Sequence, residues 1–133
     1  IEYAAHRWLF HGRHTGLFKR GHGHHHLNPL GYDALPFFLP PLFLGALAGG
    51  FMLVLPADYA LLLAGVVAAG YAAYGISHVL IHMHRFKSPR LQRWVAFHDE
   101  HHRHADKNFG VTSSLWDVIL GTRYQPKARP ASH

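Results

Sequence analysis

The stretch His98-Asp99-Glu100-His101-His102 decides how this chain folds on paper. Residues at i, i+3 and i+4 share one face of an α-helix, so His98, His101 and His102 project together as a ligand face. The same offsets recur upstream in His22-Gly23-His24-His25-His26, where His22, His25 and His26 form a matching triplet. Neutral imidazole is the commonest nitrogen ligand of biological metals, and one ion takes only about four to six donors. Two matching triplets imply one shared site, and six imidazoles imply two metal ions in it. Taken alone, the run His24 to His26 reads as readily as a tag remnant or a solvated loop as it does as metal ligands; the distant second triplet with aligned offsets favours metal.

Two further pairs lie outside the triplets. His78 and His82 stand at i, i+4 in His-Val-Leu-Ile-His, one helical face at ligand spacing. His6 and His11 are five apart, about 140° around an ideal helix, too far to share an ion without distortion. Either the helix loosens before Gly12 or these two histidines serve different ions of a pair. His84 lies off the His78–His82 face and reads as a residue behind the ligands or in solvent. Asp99, one residue off its own ligand face, reads equally as an acid that orients an imidazole and as a solvated one.

Composition narrows the chemistry. There are 15 histidines against 7 acidic residues in 133, so metal binding here leans on imidazole, unlike the Glu and Glu-x-x-His sets of soluble di-iron bundles. Cysteine is absent, which excludes thiolate zinc sites, iron–sulfur clusters, haem-thiolate and disulfides. The length fits a single domain over 1–133. The net charge of +6 raises nucleic acid and anionic membrane as partners, and placement decides between them. All 13 Lys and Arg precede Asp33 or follow His84, flanking a long apolar middle, which is a membrane pattern and not a nucleic-acid surface.

That middle predicts a hairpin of two membrane helices, over 34–57 and 59–84, each free of charge and near the ~20 residues needed to cross ~30 Å of hydrocarbon. Pro56, Ala57 and Asp58 make the turn, and Pro40 and Pro41 delay the first helix, leaving it short for a full crossing. Gly45 and Gly49 form a small-xxx-small pair suited to close helix packing, and Gly65, Gly70 and Gly75 read the same way. His78, twenty residues past Asp58, lies about 30 Å away along the second helix, back on the side where the hairpin began. Every histidine set and every cation thus falls on one face of the bilayer, cytoplasmic by the positive-inside rule. The fold class is an all-α integral-membrane bundle: a transmembrane hairpin with a cytosolic-side helical cap carrying a dimetal site.

The remaining segments support that cap. The chain starts abruptly in helix without an initiator Met, which reads as an N-terminal truncation with helices upstream. Trp8, Leu9 and Phe10 read as lipid-facing or packing residues. A short helix is expected over His22 to Leu27, weakened by Gly21 and Gly23; an amphipathic helix carries Leu91, Trp94 and the second triplet; and a further short helix follows Ser113 or Ser114 as cap. The basic, Pro- and Ala-rich segment 123–133 reads as a flexible tail.

Together these histidines resemble the fatty acid hydroxylase superfamily of integral-membrane enzymes, which includes fatty acid 2-hydroxylases, sterol C-4 methyl oxidases and sterol C-5 desaturases. Its pattern H-x4-H, H-x2-H-H, H-x3-H, H-x2-H-H maps in order onto His6 and His11; His22, His25 and His26; His78 and His82; and His98, His101 and His102. The closing Asn108-Phe109-Gly110-Val111-Thr112-Ser113-Ser114-Leu115-Trp116-Asp117, followed by Gly121-Thr122, is similar to the family's tail. The loop from Asn28 to Pro41 resembles a Pro-x-Asp and Pro-Pro stretch of fatty acid 2-hydroxylases but lacks their basic residue.

The resemblance implies two iron ions bound by those ten histidines, with zinc a possible substitute in purified protein, and O2 as co-substrate. It implies oxidation of a C–H bond of a membrane lipid, most simply hydroxylation of a fatty acyl chain. Electrons would come from a separate donor, a cytochrome b5-like protein or a ferredoxin with its reductase, because the chain has no such domain of its own. The same residues also fit a sterol or carotenoid oxidase or desaturase, and a non-catalytic metal-binding membrane protein. A transporter would set its histidines at mid-membrane depth, whereas these gather at one edge. The choice of lipid and carbon, and the number of chains in the assembly, stay open at this level.

Overall fold

The computed structural model describes residues 1–13, 16–31 and 39–126, and these are all-helical, with no strand. A single turn of α-helix, α1 (Glu2–Ala4), runs directly into a π-helical turn over Ala5–Phe10. Then follow α2 (Leu17–Leu27), α3 (Leu39–Met52), α4 (Ala57–Met83), α5 (Pro89–Arg103) and the short α6 (Leu115–Ile119).

The apolar middle folds as two helices in contact, α3 against α4. As the sequence leads one to expect, the first is the shorter of the two and the second is long and continuous. Residues 32–38 lie outside those described, and α3 has 14 residues, about 21 Å at 1.5 Å per residue, short of the ~30 Å hydrocarbon core. The helix begins at Leu39, with Pro40 and Pro41 directly inside its start. They sit in its first turn, where a missing N–H has no partner to lose. Among the described residues only α4, with 27 residues, is long and apolar enough to cross a membrane. The turn falls earlier than expected, over Leu53–Leu55. Pro56 caps α4 and Asp58 lies inside its first turn, where a carboxylate complements the positive end of the helix dipole.

A buried core helix would pass the same length test, but only 11% of the most apolar window of α4 is buried. Leu61, Leu62, Val66, Ile76 and Val79 all face outward. The glycines behave differently from the packing role assigned to them. A Cβ placed on Gly45, Gly49, Gly65, Gly70 or Gly75 would meet nothing within 4 Å, so none brings α3 and α4 closer within this chain.

The histidine helices start where their sequences allow. Despite Gly21 and Gly23, α2 is longer than the expected His22–Leu27, beginning at Leu17 after Gly16, whose φ of +47° favours glycine. Pro89 opens α5 at its first position, and its buried face carries His98 and His101. Beyond α5, Trp94 Nε1 donates to the Val111 carbonyl at 2.6 Å, pinning the following loop against the helix. Ser114 is the N-cap of α6 by position, while Ser113 Oγ accepts from the Leu115 N–H at 3.2 Å. The chain stays tied down past Arg123: the Tyr124 N–H donates to Asn108 Oδ1 at 2.7 Å, and its ring stacks on His104 at 4.2 Å. The rest of the expected tail, from 127 onward, lies outside the described residues.

Candidate metal centre

All ten histidines of the four boxes converge at the C-terminal end of α4, in two groups of five. His6, His11, His22, His26 and His101 form one cluster; His25, His78, His82, His98 and His102 form the other. Within each, the candidate ligand nitrogens all lie within 4.8 Å of one another. The clusters adjoin, with the rings of His26 and His102 stacked at 4.5 Å.

Neither triplet points into one cluster. From α2, His22 and His26 enter the first and His25 the second; from α5, His98 and His102 enter the second and His101 the first. Helical geometry accounts for the crossing. Position i+4 leads i by about 40°, while i+3 trails it by about 60°, so the i+3 ring leans toward the neighbouring centre. Each triplet thereby contributes to both clusters.

His6 and His11 share the first cluster because the backbone loosens. The His11 N–H donates to the His6 carbonyl at 3.1 Å, an i→i+5 bond, which closes one turn over five residues and brings the two rings to 5.1 Å. Of the two alternatives open from the sequence, loosening before Gly12 is the one adopted. His78 and His82 need no such device, being one α-helical turn apart on α4 with Nε2 atoms 3.2 Å apart.

The donor set fits metal ions. Nε2–Nε2 separations include 2.9 Å for His6–His22, 3.1 Å for His11–His101, His22–His26 and His78–His98, and 3.2 Å for His82–His98. Two nitrogens held about 2.1 Å from one ion, at right angles, would stand about 3 Å apart. His6 Nδ1 donates to the Phe109 carbonyl, and His101 Nδ1 donates to the Lys107 carbonyl at 2.7 Å, so in neutral rings both Nε2 atoms carry only lone pairs. In the second cluster, His25 Nε2 is buried without a hydrogen-bond partner among the described residues. Lone pairs crowded together in this way call for a shared cation.

Electrostatics keep the rings ready for one. Burial first, and then neighbouring charge, lowers His25 and His101 to about 3, and His11, His26 and His102 to about 4. His6, His22 and His98 are lowered for the same reasons. A second imidazole proton would compete with a metal, and at neutral pH these rings are neutral, each with one nitrogen free of a proton.

Several surrounding residues were not legible as part of the site. The carbonyls of Lys107 and Phe109 orient His101 and His6, a task the sequence had offered to Asp99. Asp99 instead lines an open, polar cavity of about 480 Å³ with His82, His84 and Arg85; burial raises its carboxyl pKa. His84 is exposed, its ring against Phe86 at 4.6 Å. Buried Asp117 accepts from the Phe109 and Gly110 N–H groups, both at 2.8 Å. A lone acid inside the apolar run Leu115–Leu120 was the signal that could have found it. On α4, Tyr74 lies one turn before His78, its ring 5.4 Å from His78 and 6.3 Å from His6, touching both clusters.

Tyr74 also forms one wall of a second cavity, about 430 Å³ and mostly apolar, lined by Leu9, Phe10, Phe18, Phe43, Val66 and Gly70 among others. Phe10, read earlier as packing, does pack, stacked on His22 at 5.3 Å, and forms part of this wall as well.

Known proteins are similar to this chain over nearly its whole length. The sequence profile described as fatty acid hydroxylase matches residues 1–122. A dihydroceramide fatty acyl 2-hydroxylase of Arabidopsis thaliana is 34% identical over 133 residues, covering 92% of this chain and 55% of the relative. The ceramide very long chain fatty acid hydroxylase of Saccharomyces cerevisiae is 32% identical over 147 residues (96% and 36%), and the fatty acid 2-hydroxylase of Homo sapiens 30% over 138 (92% and 36%). The chain thus spans between about a third and a little over half of these relatives' lengths. No solved structure matches significantly. With its four histidine boxes gathered into two adjoining clusters and its profile match running from the first residue through Thr122, the chain belongs to the fatty acid hydroxylase family.

Proposed function

We propose that this chain forms the catalytic unit of a membrane-bound, O2-dependent lipid hydroxylase, with two iron ions held by the ten box histidines and a fatty acyl chain as substrate. The observation that carries this reading is the contact between an apolar cavity and both imidazole clusters through Tyr74. When bound, the metal pair supplies the reduction of O2 by two electrons and two protons, converting R–H to R–OH and releasing water.

The chain's own residues supply the rest. His6, His11, His22, His26 and His101 would hold one ion and His25, His78, His82, His98 and His102 the other. The cavity wall on α4, from Val66 to Tyr74, lies in the membrane-crossing stretch, so an acyl chain reaches it from the bilayer without a water-soluble carrier. Its apolar lining excludes water from the alkyl chain, and the Tyr74 ring limits how closely that chain approaches the imidazoles. Relatives whose names specify fatty acyl and ceramide substrates support an acyl chain over a sterol or carotenoid.

The exposed cations Arg85, Lys87, Arg90 and Arg93 lie just past the histidine end of α4. They support a cytoplasmic position for the metal site and a separate electron donor, cytochrome b5-like or a ferredoxin with its reductase, docking there. The test is lipid analysis of cells expressing the protein with and without His101→Ala. Hydroxylated acyl species should appear with the wild type and vanish with the variant; equal amounts in both would sink the reading.

A further inference from the structure

The two clusters differ in what stands behind their imidazoles, and Asp117 lies at the root of the difference. In the first cluster, His6 Nδ1 and His101 Nδ1 each donate to a main-chain carbonyl, of Phe109 and Lys107 respectively. Both carbonyls belong to one short loop after α5. In the second, His98 Nδ1 and His102 Nδ1 are buried with no hydrogen-bond partner among the described residues.

The loop is held with little freedom. Asp117 is fully buried, and its carboxylate takes the N–H groups of Phe109 and Gly110 at 2.8 Å and the Thr122 hydroxyl at 2.7 Å. The Thr122 hydroxyl in turn accepts from the Tyr3 hydroxyl at 2.8 Å, and Tyr3 from Arg7 at 3.0 Å. A cation is thereby linked through two hydroxyls to the buried acid, on the same turn that carries His6. Asn108, at φ +53°, donates to the Phe97 carbonyl at 2.9 Å. A Cβ on Gly110 would meet the Ser113 carbonyl oxygen at 2.0 Å and Asp117 Oδ2 at 2.9 Å, so this backbone fits tightly against the acid.

We propose that Asp117 is a positioning residue for the first cluster: through the backbone of Phe109 and Gly110 it fixes the tautomer and aim of His6, and with it His101, making this the tighter of two unequal metal sites. The inference rests on the metal reading above and deepens it. Groups that orient a metal-bound histidine typically contribute about 10- to 100-fold in metal affinity. Here that contribution falls on one ion and not on its neighbour.

The experiment is chelator-driven release from detergent-purified protein loaded with ferrous iron or zinc, followed as metal remaining per chain against time. The wild type should release its ions in two phases. Asp117→Asn, which places an amide N–H against a backbone donor, should speed the slow phase about 10- to 100-fold and leave the fast phase unchanged. Thr122→Val removes a single donor to Asp117 and should speed the slow phase by a smaller factor; it decides the matter if Asp117→Asn does not fold. Unchanged phases, or both phases accelerated alike, would overturn the proposal. A wild type that takes up no metal overturns the metal reading itself, and this inference falls with it.

Discussion

The two clusters have the same inventory, five imidazoles each, and are built by different means. The first gathers a pair from a π turn near the chain's start and is backed by loop carbonyls. The second gathers its pair from one α-helical turn at the end of α4 and has unpartnered Nδ1 atoms behind it among the described residues. A ligand pair five apart needs a deformed backbone and a supporting network, whereas a pair four apart comes with ordinary helix geometry. Between them, α2 and α5 each lend two rings to one side and one to the other, so neither cluster can form without both helices.

The sharpest way to break this comparison is to remove the crossing ligands. His25→Ala should empty the second site and His101→Ala the first, each lowering bound metal from about two ions per chain toward one and abolishing hydroxylation. Metal analysis of the two variants checks this; full metal content after loss of His25 would show the assignment to be wrong. Swapped effects on the fast and slow release phases would refute the crossed arrangement specifically.

Acid should act on both clusters. Rings lowered to about 3 or 4 in the fold and near 6.5 when unfolded bind fewer protons folded than unfolded across that interval. Stability of the metal-free protein should therefore be greatest above pH 6.5 and fall as pH drops toward 4, which thermal melts across that range would register. A melting temperature that rises on acidification would contradict the sign.

Smaller effects separate the clusters from their surroundings. Phe10→Ala removes a ring stacked on His22 and should lower stability by about 1 kcal/mol while weakening apolar substrate binding, with metal content held at two ions; an aromatic pair contributes roughly this much. Melting and KM measurements on one preparation would check it. Arg103→Ala, which removes an exposed ion pair with Glu100 beside the second triplet, should change stability by less than about 1 kcal/mol, and a larger loss in denaturant titration would show a role not visible in its contacts.

Much of this was legible from the chain alone, for identifiable reasons. The spacing of His98, His101 and His102 is a statement about one helix, and helical periodicity needs no distant partner. The position of His78 and His82 at the far end of α4 followed from counting residues at a fixed rise. The failures were of two kinds. The earlier turn and the unfilled glycine faces depended on how two apolar helices meet, which uniformly apolar sequences leave undetermined. The orienting carbonyls of Lys107 and Phe109 had no signal of their own, since every residue carries the same carbonyl; the family-like run from Asn108 to Asp117, and within it an acid among apolar neighbours, marked that loop.

By itself the sequence determined the ten-imidazole inventory, the helices that bear it and the apolar stretch that sets it at one end of α4, because each depends on residue type and local period. Tertiary structure alone decided which ring belongs to which cluster, that His6 and His11 meet across a π turn, and that one cluster is braced by a buried carboxylate. Those outcomes depend on the relative placement of segments about a hundred residues apart, as His6 and Phe109 are, and no local pattern encodes the angle at which two helices approach.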